Sequence, residues 1–334
     1  MKELGVYKQI AALPYLATYK KLIEGAIQMD MFSHMKEAIS AEDLAARMGW
    51  DKANTKNVLE ALTSIGFVAY EDGKFNNTEE TDRYLVKDSA HYMGDVVHFF
   101  GSNQGLDAGD VARQVKEGGI VPEQKTKMEE AMDFAGYGEG MRKAQSGIRQ
   151  TEILAIVRSL PESTRIKSIL DLGCGAGMIG LSLLGDQEGR RGVLYDQPSM
   201  RPLIEETVAA GKAGDEVSIM TGDFMVDEIG SGYDLILASS IMLLAMGDQL
   251  KFMKKLYDAL NPEGVVLCIN EGIAPDYSEP WDMIMGYLPM KLQGMQGGVL
   301  KGAVRSSAEK IGFKVENKTL LLSTGTHDIN ILKK

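Results

Sequence analysis

The sequence predicts an α/β fold, a doubly wound, mostly parallel seven-stranded sheet, behind a mainly α N-terminal domain. Three observations carry this. From Arg165 onward short apolar runs alternate with helical patterns, and strands are expected near 166–171, 192–196, 217–221, 233–238, 264–270, 313–318 and 319–332. Such alternation implies helices packed on a parallel sheet. The first of these runs ends in Asp171 and breaks at once into Gly173, Gly175 and Gly177 before a helical stretch from Met178 to Leu184. The first hundred residues, by contrast, hold short helices and one hairpin signal. A length of 334 residues suggests about two domains, and the 44% hydrophobic content is enough for full cores.

In chain order, Ser40-Ala-Glu-Asp43 supplies a cap and an acidic first turn, and Leu44, Ala45 and Met48 supply an apolar face. Gly49-Trp50-Asp51 breaks that helix. Thr55 to Ile65 forms a second, with Val58, Leu59, Leu62 and Ile65 at helical spacing and Gly66 as its stop. Phe67 to Tyr70 and Lys74 to Asn76 flank Glu71-Asp72-Gly73, a hairpin signal. Helix, turn, helix and β-wing together read as a winged helix. A long helical stretch from Ala90 to Ser159 leads into the sheet, with its last two strands divided only by the turn signal Asn317-Lys318.

The glycine loop is the strongest pointer to chemistry. Glycines at this spacing let the backbone pass close beneath a ligand, and the helix start beyond them offers free N–H groups to a negative charge. Two readings compete. Gly175-Ala-Gly177-Met-Ile-Gly180 is a literal G-x-G-x-x-G, the dinucleotide fingerprint, and Asp196 after the next strand suits either a dinucleotide or a nucleoside. In a dinucleotide site, however, the first glycine follows the strand directly, whereas here Asp171 and Gly173 intervene. Gly222-Asp223-Phe224 then places a carboxylate and an aromatic ring beyond a third strand, where open sheets bind ligands. A carboxylate can accept from an adenine amino group and a phenyl ring can cover the base.

Asp171, the three glycines, Asp196 and Gly222-Asp223-Phe224 together resemble the motifs of Rossmann-like S-adenosylmethionine-dependent methyltransferases. Joined to the winged helix, they resemble the small-molecule O-methyltransferase family that includes plant caffeate and bacterial polyketide enzymes, over nearly the whole chain. The resemblance implies S-adenosylmethionine as cofactor, with the amino-acid end on the glycine loop, Asp196 at the ribose, and Asp223 and Phe224 at the adenine. It also implies a small-molecule methyl acceptor and an intertwined homodimer built by the N-terminal module. The expected division is 1–110 for the winged-helix dimerisation domain, 111–160 for a helical connector and 161–334 for the catalytic domain.

The family's catalytic residues are only partly present. Methyl transfer from a sulfonium is an in-line displacement, so the protein must align the nucleophile and, where needed, remove its proton. The family takes that proton with a His after the fourth strand, and Leu243 (or Leu244) stands there. Ser239 occupies the position of a lysine that often approaches the adenine. Glu271, in Asn270-Glu271-Gly, matches the family's glutamate after strand five, whereas the second glutamate should fall within 297–301, where no acidic residue stands. Tyr137 and Met141 match an aromatic and a methionine over the active site. Met285 belongs to a concentration with Met242, Met246, Met283, Met290 and Met295 in segments expected to line an apolar acceptor pocket, although any single methionine is ordinary core filling.

Ionising a phenol of pKa about 10 at pH 7 costs roughly 4 kcal/mol, a thiol about 2, and a carboxylate nothing. The missing His therefore raises a sulfur, acidic enol or carboxylate acceptor as an alternative to the family's oxygen methylation. A family member that binds the cofactor but catalyses something else is a further alternative. Of the four histidines, His91 and His98, seven apart on an expected helix and so about 10 Å apart, and His327 near the C-terminus are the imidazoles that could stand in. No metal site is visible.

Net charge and cysteine usage exclude other classes. A net charge of −11, with no basic stripe, argues against nucleic acid and anionic membrane as partners. The expected recognition helix carries only Lys52 and Lys56 against Asp51 and Glu60, and the wing is acidic, so DNA binding is disfavoured. Two cysteines without C-x-x-C spacing suggest a reducing compartment, and the N-terminus lacks a signal-peptide core. A soluble, cytoplasmic enzyme is expected.

Overall fold

The computed structural model describes residues 4–102, 106–119, 134–211, 216–295 and 297–334. It divides into two compact units, Met1–His98 and Phe99–Lys334.

The first unit opens with α1 (Gly5–Gln28), a 24-residue helix that buries only Ala26. In α2 (Ala41–Met48), Ser40 caps the N-terminus by accepting from the Asp43 N–H at 3.0 Å, and Gly49 closes it at φ 68°. Asp51 caps α3 (Lys52–Ser64) by accepting from the Asn54 N–H at 2.8 Å. Ser40 is the cap that the sequence signals, whereas the second helix starts at Lys52 and not at Thr55, because Asp51 caps it. Strands β1 (Val68–Glu71) and β2 (Lys74–Asn77) pair antiparallel across Asp72 and Gly73, which have φ of 49° and 80°. Two successive positive φ values are what a two-residue primed hairpin turn needs. Phe32, Leu44, Leu59, Leu62, Val68 and Phe75 close the core of this unit. After α4 (Glu79–Leu85), His91 lies in a turn and only His98 lies within α5 (Gly94–Ser102). The two imidazoles therefore do not share a helix, because Tyr92 and Met93 separate His91 from its start.

The second unit runs through α6 (Ala108–Glu117), α7 (Phe134–Gln145) and α8 (Ile148–Arg158) into the sheet. Its elements are β3 (Ser168–Leu172), α9 (Met178–Gly185), β4 (Arg191–Asp196), α10 (Arg201–Ala210), β5 (Val217–Thr221), β6 (Tyr233–Ser239), α11 (Gln249–Ala259), β7 (Leu260–Asn270), α12 (Trp281–Leu292), α13 (Ala303–Ile311), β8 (Lys314–Leu322) and β9 (Gly325–Lys333). The strand order among the described residues is β5-β4-β3-β6-β7-β9-β8. The first five of these are parallel, and β9 and β8 run antiparallel at the edge. Alternate residues feed two cores. Leu170, Leu172, Ile236, Val266 and Cys268 face one side, and Ile169, Leu235, Leu237, Val265 and Leu267 face the other. Both faces are covered, so the strands read as continuous apolar runs.

One boundary differs from expectation. Asn317-Lys318 is not a turn: β8 continues through it to Leu322, and the chain reverses at Ser323 and Thr324. Asn317 pairs with Asn330 across the ladder, and its side-chain amide donates to Asp328 at 2.8 Å and to Asn330 at 3.0 Å. Its amide hydrogen bonds are spent across the strands, not on a local turn.

Candidate functional site

The strand order reverses between β3 and β6, since β3 leads to β4 on one side while β6 lies on the other. Ligands in open α/β sheets occupy the crevice beyond the carboxyl ends at this switch point. Most of the residues singled out from sequence lie on this edge.

The loop after β3 is shaped by its glycines. Gly173, Gly175 and Gly177 have φ of 71°, 58° and 81°, a region open to glycine and costly for other residues. A Cβ on Gly173 would lie 2.4 Å from Ile241 Cγ2, and one on Gly175 would meet Met141 Sδ at 3.3 Å and the Gln145 amide at 3.4 Å. Met141 and Gln145, on α7, thus roof the loop. Tyr137 also falls on α7, with its side chain outside the described residues. The loop is tied to β4 by the Gly173 and Cys174 N–H groups, which donate to the Tyr195 carbonyl at 2.8 and 3.0 Å.

Asp196, at the end of β4, closes the loop from the other side. Its Oδ2 accepts from the Gly175 N–H at 2.7 Å and its Oδ1 from the Gln197 N–H at 2.8 Å. Burial raises its pKa against these two donors. Each oxygen keeps a further lone pair, so the carboxylate can accept from a vicinal diol. Asp171 is more deeply placed, 3% exposed. Burial pushes its carboxyl up to about 7, against the Gly180 N–H and with help from the Asp196 charge. Its Oδ2 has no hydrogen-bond partner. It lies beneath the loop, at the start of α9, and does not open to the crevice.

Gly222, Asp223 and Phe224 follow β5. A Cβ on Gly222 would lie 2.5 Å from the Tyr195 hydroxyl and 2.6 Å from Asp227 Oδ2, so any side chain here would displace both groups. Asp223 is exposed, its Oδ1 accepting from the Met225 N–H at 2.9 Å. Phe224 is nearly buried and stacks obliquely 5.8 Å from Phe252, so much of its ring serves the core.

Sequence reasoning passed over Arg149, on α8. It is buried, donates to Ser239 Oγ at 3.4 Å and stands 3.7 Å from Glu152. Its Nη1 has no hydrogen-bond partner, and burial lowers its pKa. That nitrogen is the one facing Glu152, so the guanidinium is ion-paired but keeps hydrogen-bonding capacity that a second carboxylate could take. The sequence carries no signal for it, because Arg149 stands in the polar run Arg149-Gln-Thr-Glu152, which reads as a helix surface.

Beyond β7, Glu271 is 3% exposed. Its Oε1 accepts from the Tyr287 hydroxyl at 2.5 Å and its Oε2 from the Val299 N–H at 3.0 Å. Leu243 packs half-buried against the core, and Leu244 is 65% exposed. The methionines do not act as one group. Met242 is fully buried against Cys268, with sulfurs 4.0 Å apart, and Met283 is buried, while Met285 is 55% exposed on α12 and Met290 is also exposed. Their spacing on α12 sends them to different faces. His327, on β9, is buried, with Nε2 2.8 Å from the Thr324 hydroxyl. Its pKa is pushed down to about 4, first by burial and then by the Arg149 charge.

A family model described as an O-methyltransferase domain matches residues 119–309. The 3-hydroxy-5-methyl-1-naphthoate 3-O-methyltransferase of Streptomyces sahachiroi is 27% identical over 289 residues, which cover 84% of this chain and 81% of the relative. A phenazine O-methyltransferase of Lysobacter antibioticus is 28% identical over 246 residues, covering 72% and 71%. Human N-acetylserotonin methyltransferase, solved in complex with S-adenosylmethionine, superposes with a TM-score of 0.76 at 18% identity, over 98% of this chain and 97% of that one. At that identity the superposition speaks for the fold.

Proposed function

Because this chain belongs to the O-methyltransferase domain family, we propose that its crevice holds S-adenosylmethionine across Gly173–Gly177 and presents the methyl group to a small aromatic or apolar hydroxyl compound. The enzyme is an S-adenosylmethionine-dependent methyltransferase. The observation that carries the placement is the pairing of two preformed polar seats at the switch point. Asp196 is held by the Gly175 and Gln197 N–H groups with lone pairs to spare, and the buried Arg149 reaches Ser239 through Nη2 while its Nη1, 3.7 Å from Glu152, makes no hydrogen bond. Bound there, the cofactor supplies an electrophilic methyl carbon. Asp196 takes the ribose hydroxyls, Arg149 and Ser239 take the carboxylate, and Asp223 with the exposed edge of Phe224 takes the adenine. Asp171 acts from below, as a buried carboxyl under the loop.

Glu271 orients the acceptor. An oxygen acceptor is favoured by family membership, and the relatives named above are O-methyltransferases of a naphthoate and of phenazine. Leu243, at the place of the family's base, raised readily ionised or soft acceptors as an alternative, which the family and these relatives do not favour.

The N-terminal module, residues 1–110, acts as a winged-helix dimerisation domain, with 111–160 as connector and 161–334 as the catalytic domain. Supporting this, α1 leaves Val6, Tyr7, Ile10, Leu13 and Tyr15 between 59% and 85% exposed, an apolar surface that a monomer seldom leaves open to water. Among the described residues no helix is long and apolar enough to cross a membrane. Calorimetry with S-adenosylmethionine and S-adenosylhomocysteine tests the cofactor site, and tight binding of NAD instead would overturn it. Transfer of labelled methyl to a panel of hydroxynaphthoates, thiophenols and aromatic carboxylates tests the acceptor class.

A further inference from the structure

We infer that Lys255 is a positioning residue for the cofactor, holding the loop after β5 in the shape that offers Asp223 and Phe224 to the adenine. This rests on the cofactor placement proposed above.

The chain from Gly222 to Gly232 joins β5 to β6 and holds neither helix nor strand. Its first half is a turn built on two aspartates. The Asp223 carbonyl accepts from the Val226 and Asp227 N–H groups at 2.9 and 2.7 Å. Asp227 Oδ2 accepts in return from the Asp223 N–H at 2.8 Å, and Asp223 Oδ1 accepts from the Met225 N–H at 2.9 Å. That last bond fixes the direction of the carboxylate proposed for the adenine amino group. Asp223, Val226 and Asp227 are all exposed. The bonds inside the turn therefore compete with water, and they set its shape without setting its place against the sheet.

Lys255 sets that place. Its Nζ donates to the Phe224 carbonyl at 2.9 Å and to the Asp227 carbonyl at 2.8 Å, so one ammonium on α11 spans the turn. Hydrogen bonds from a charged donor are about twice as strong as neutral ones. Phe252 stands three residues earlier, on the same face of α11, and brings its ring to 5.8 Å from the Phe224 ring. The helix thus grips the loop twice, by backbone carbonyls through Lys255 and by the aromatic ring through Phe252. The far half of the loop is pinned separately, by the Tyr233 hydroxyl donating to the Ile229 carbonyl at 2.8 Å.

The double contact matters because the proposed adenine seat lies on a loop. Binding groups work when supporting contacts hold them to within about 0.5 Å, and strands do this for Asp196 but not for Asp223. Asp227 links the two layers. Its carbonyl is held by Lys255, and its carboxylate holds the Asp223 N–H. A shift of the ammonium is therefore passed to the residue proposed to meet the base.

The test uses the full chain and S-adenosylhomocysteine. Lys255→Met keeps an apolar stem and removes the donors, so Kd by calorimetry should rise about tenfold. Lys255→Arg keeps the charge and the donors and should bind within about threefold of wild type. Added to Asp223→Ala, Lys255→Met should cost less than about threefold more, because both act through one loop. Added to Asp196→Ala, its loss should multiply in full. Amide hydrogen exchange should quicken over 223–227 and stay unchanged along β3. Wild-type affinity in Lys255→Met would overturn the inference. So would a loss that multiplies with Asp223→Ala, unchanged exchange over 223–227, or a Lys255→Arg protein no tighter than Lys255→Met. In those cases, binding by wild type together with a weakened Asp223→Ala leaves the cofactor placement standing. A wild type that binds no S-adenosylhomocysteine, or an Asp223→Ala protein of full affinity, would sink the placement and the inference with it.

Discussion

Replacing Asp196 by Ala is the sharpest perturbation of the proposed cofactor site. The carboxylate takes the Gly175 and Gln197 N–H groups at 2.7 and 2.8 Å, so it shapes the loop before any ligand arrives. In the proposed complex it also accepts from two ribose hydroxyls. Hydrogen bonds to a charged group contribute about 1.5–3 kcal/mol each. Water enters the space left by the side chain and recovers part of this, so the expected net loss is about 2–3 kcal/mol, or about 30- to 150-fold in Kd. Asp196→Asn separates the two roles. It keeps the volume and one acceptor oxygen, but turns an amide N–H toward one of the two backbone donors, so it should weaken binding almost as much. The assay is isothermal calorimetry with S-adenosylhomocysteine at pH 7.5, with thermal unfolding run alongside. An Asp196→Ala protein that binds within threefold of wild type would refute the reasoning. A matching loss in the exposed Asp223→Ala, with Asp196→Ala unaffected, would move the ribose seat to the next strand.

His327 should make the enzyme acid-sensitive. Its folded pKa of about 4 lies below the usual 6.5, so the unfolded chain binds the proton first. The stability it contributes is complete above pH 6.5 and is lost as pH falls toward 4, by about 3 kcal/mol. Urea unfolding of His327→Gln should show a correspondingly shallower decline over that window, and an unchanged slope would count against it. Arg149→Met should remove the carboxylate seat while keeping the apolar packing, weakening S-adenosylmethionine about tenfold or more by calorimetry; equal affinity would exclude that role. Changing both Ile10 and Leu13 to Glu should break the proposed dimer, read as a halved mass by light scattering at micromolar concentration, whereas a monomeric wild type would refute the dimer outright. Leu243→His should raise turnover of high-pKa phenols, and a variant no faster than wild type on them would show that this position does not face the acceptor oxygen.

The amino-acid sequence by itself determined the elements whose signals are local. The Ser40 cap, the Asp72-Gly73 turn and the strand–glycine–helix run after Asp171 need only neighbours in the chain, because capping and positive φ are satisfied within a few residues. The alternation after Arg165 likewise sufficed for a doubly wound sheet. Tertiary structure decided everything that depends on partners far along the chain. Asn317 reads as a turn until Asp328 and Asn330 arrive across the ladder to occupy its amide. Six methionines read as one pocket until packing sends Met242 to Cys268 and Met285 to the surface. Arg149 resembles any helix-surface charge until the fold brings Ser239, 90 residues on, to it. Glu271 was visible as a residue type, but its partners, Tyr287 and Val299, lie 16 and 28 residues on. A carboxylate's chemistry depends on which donors reach it, and only the folded chain selects them.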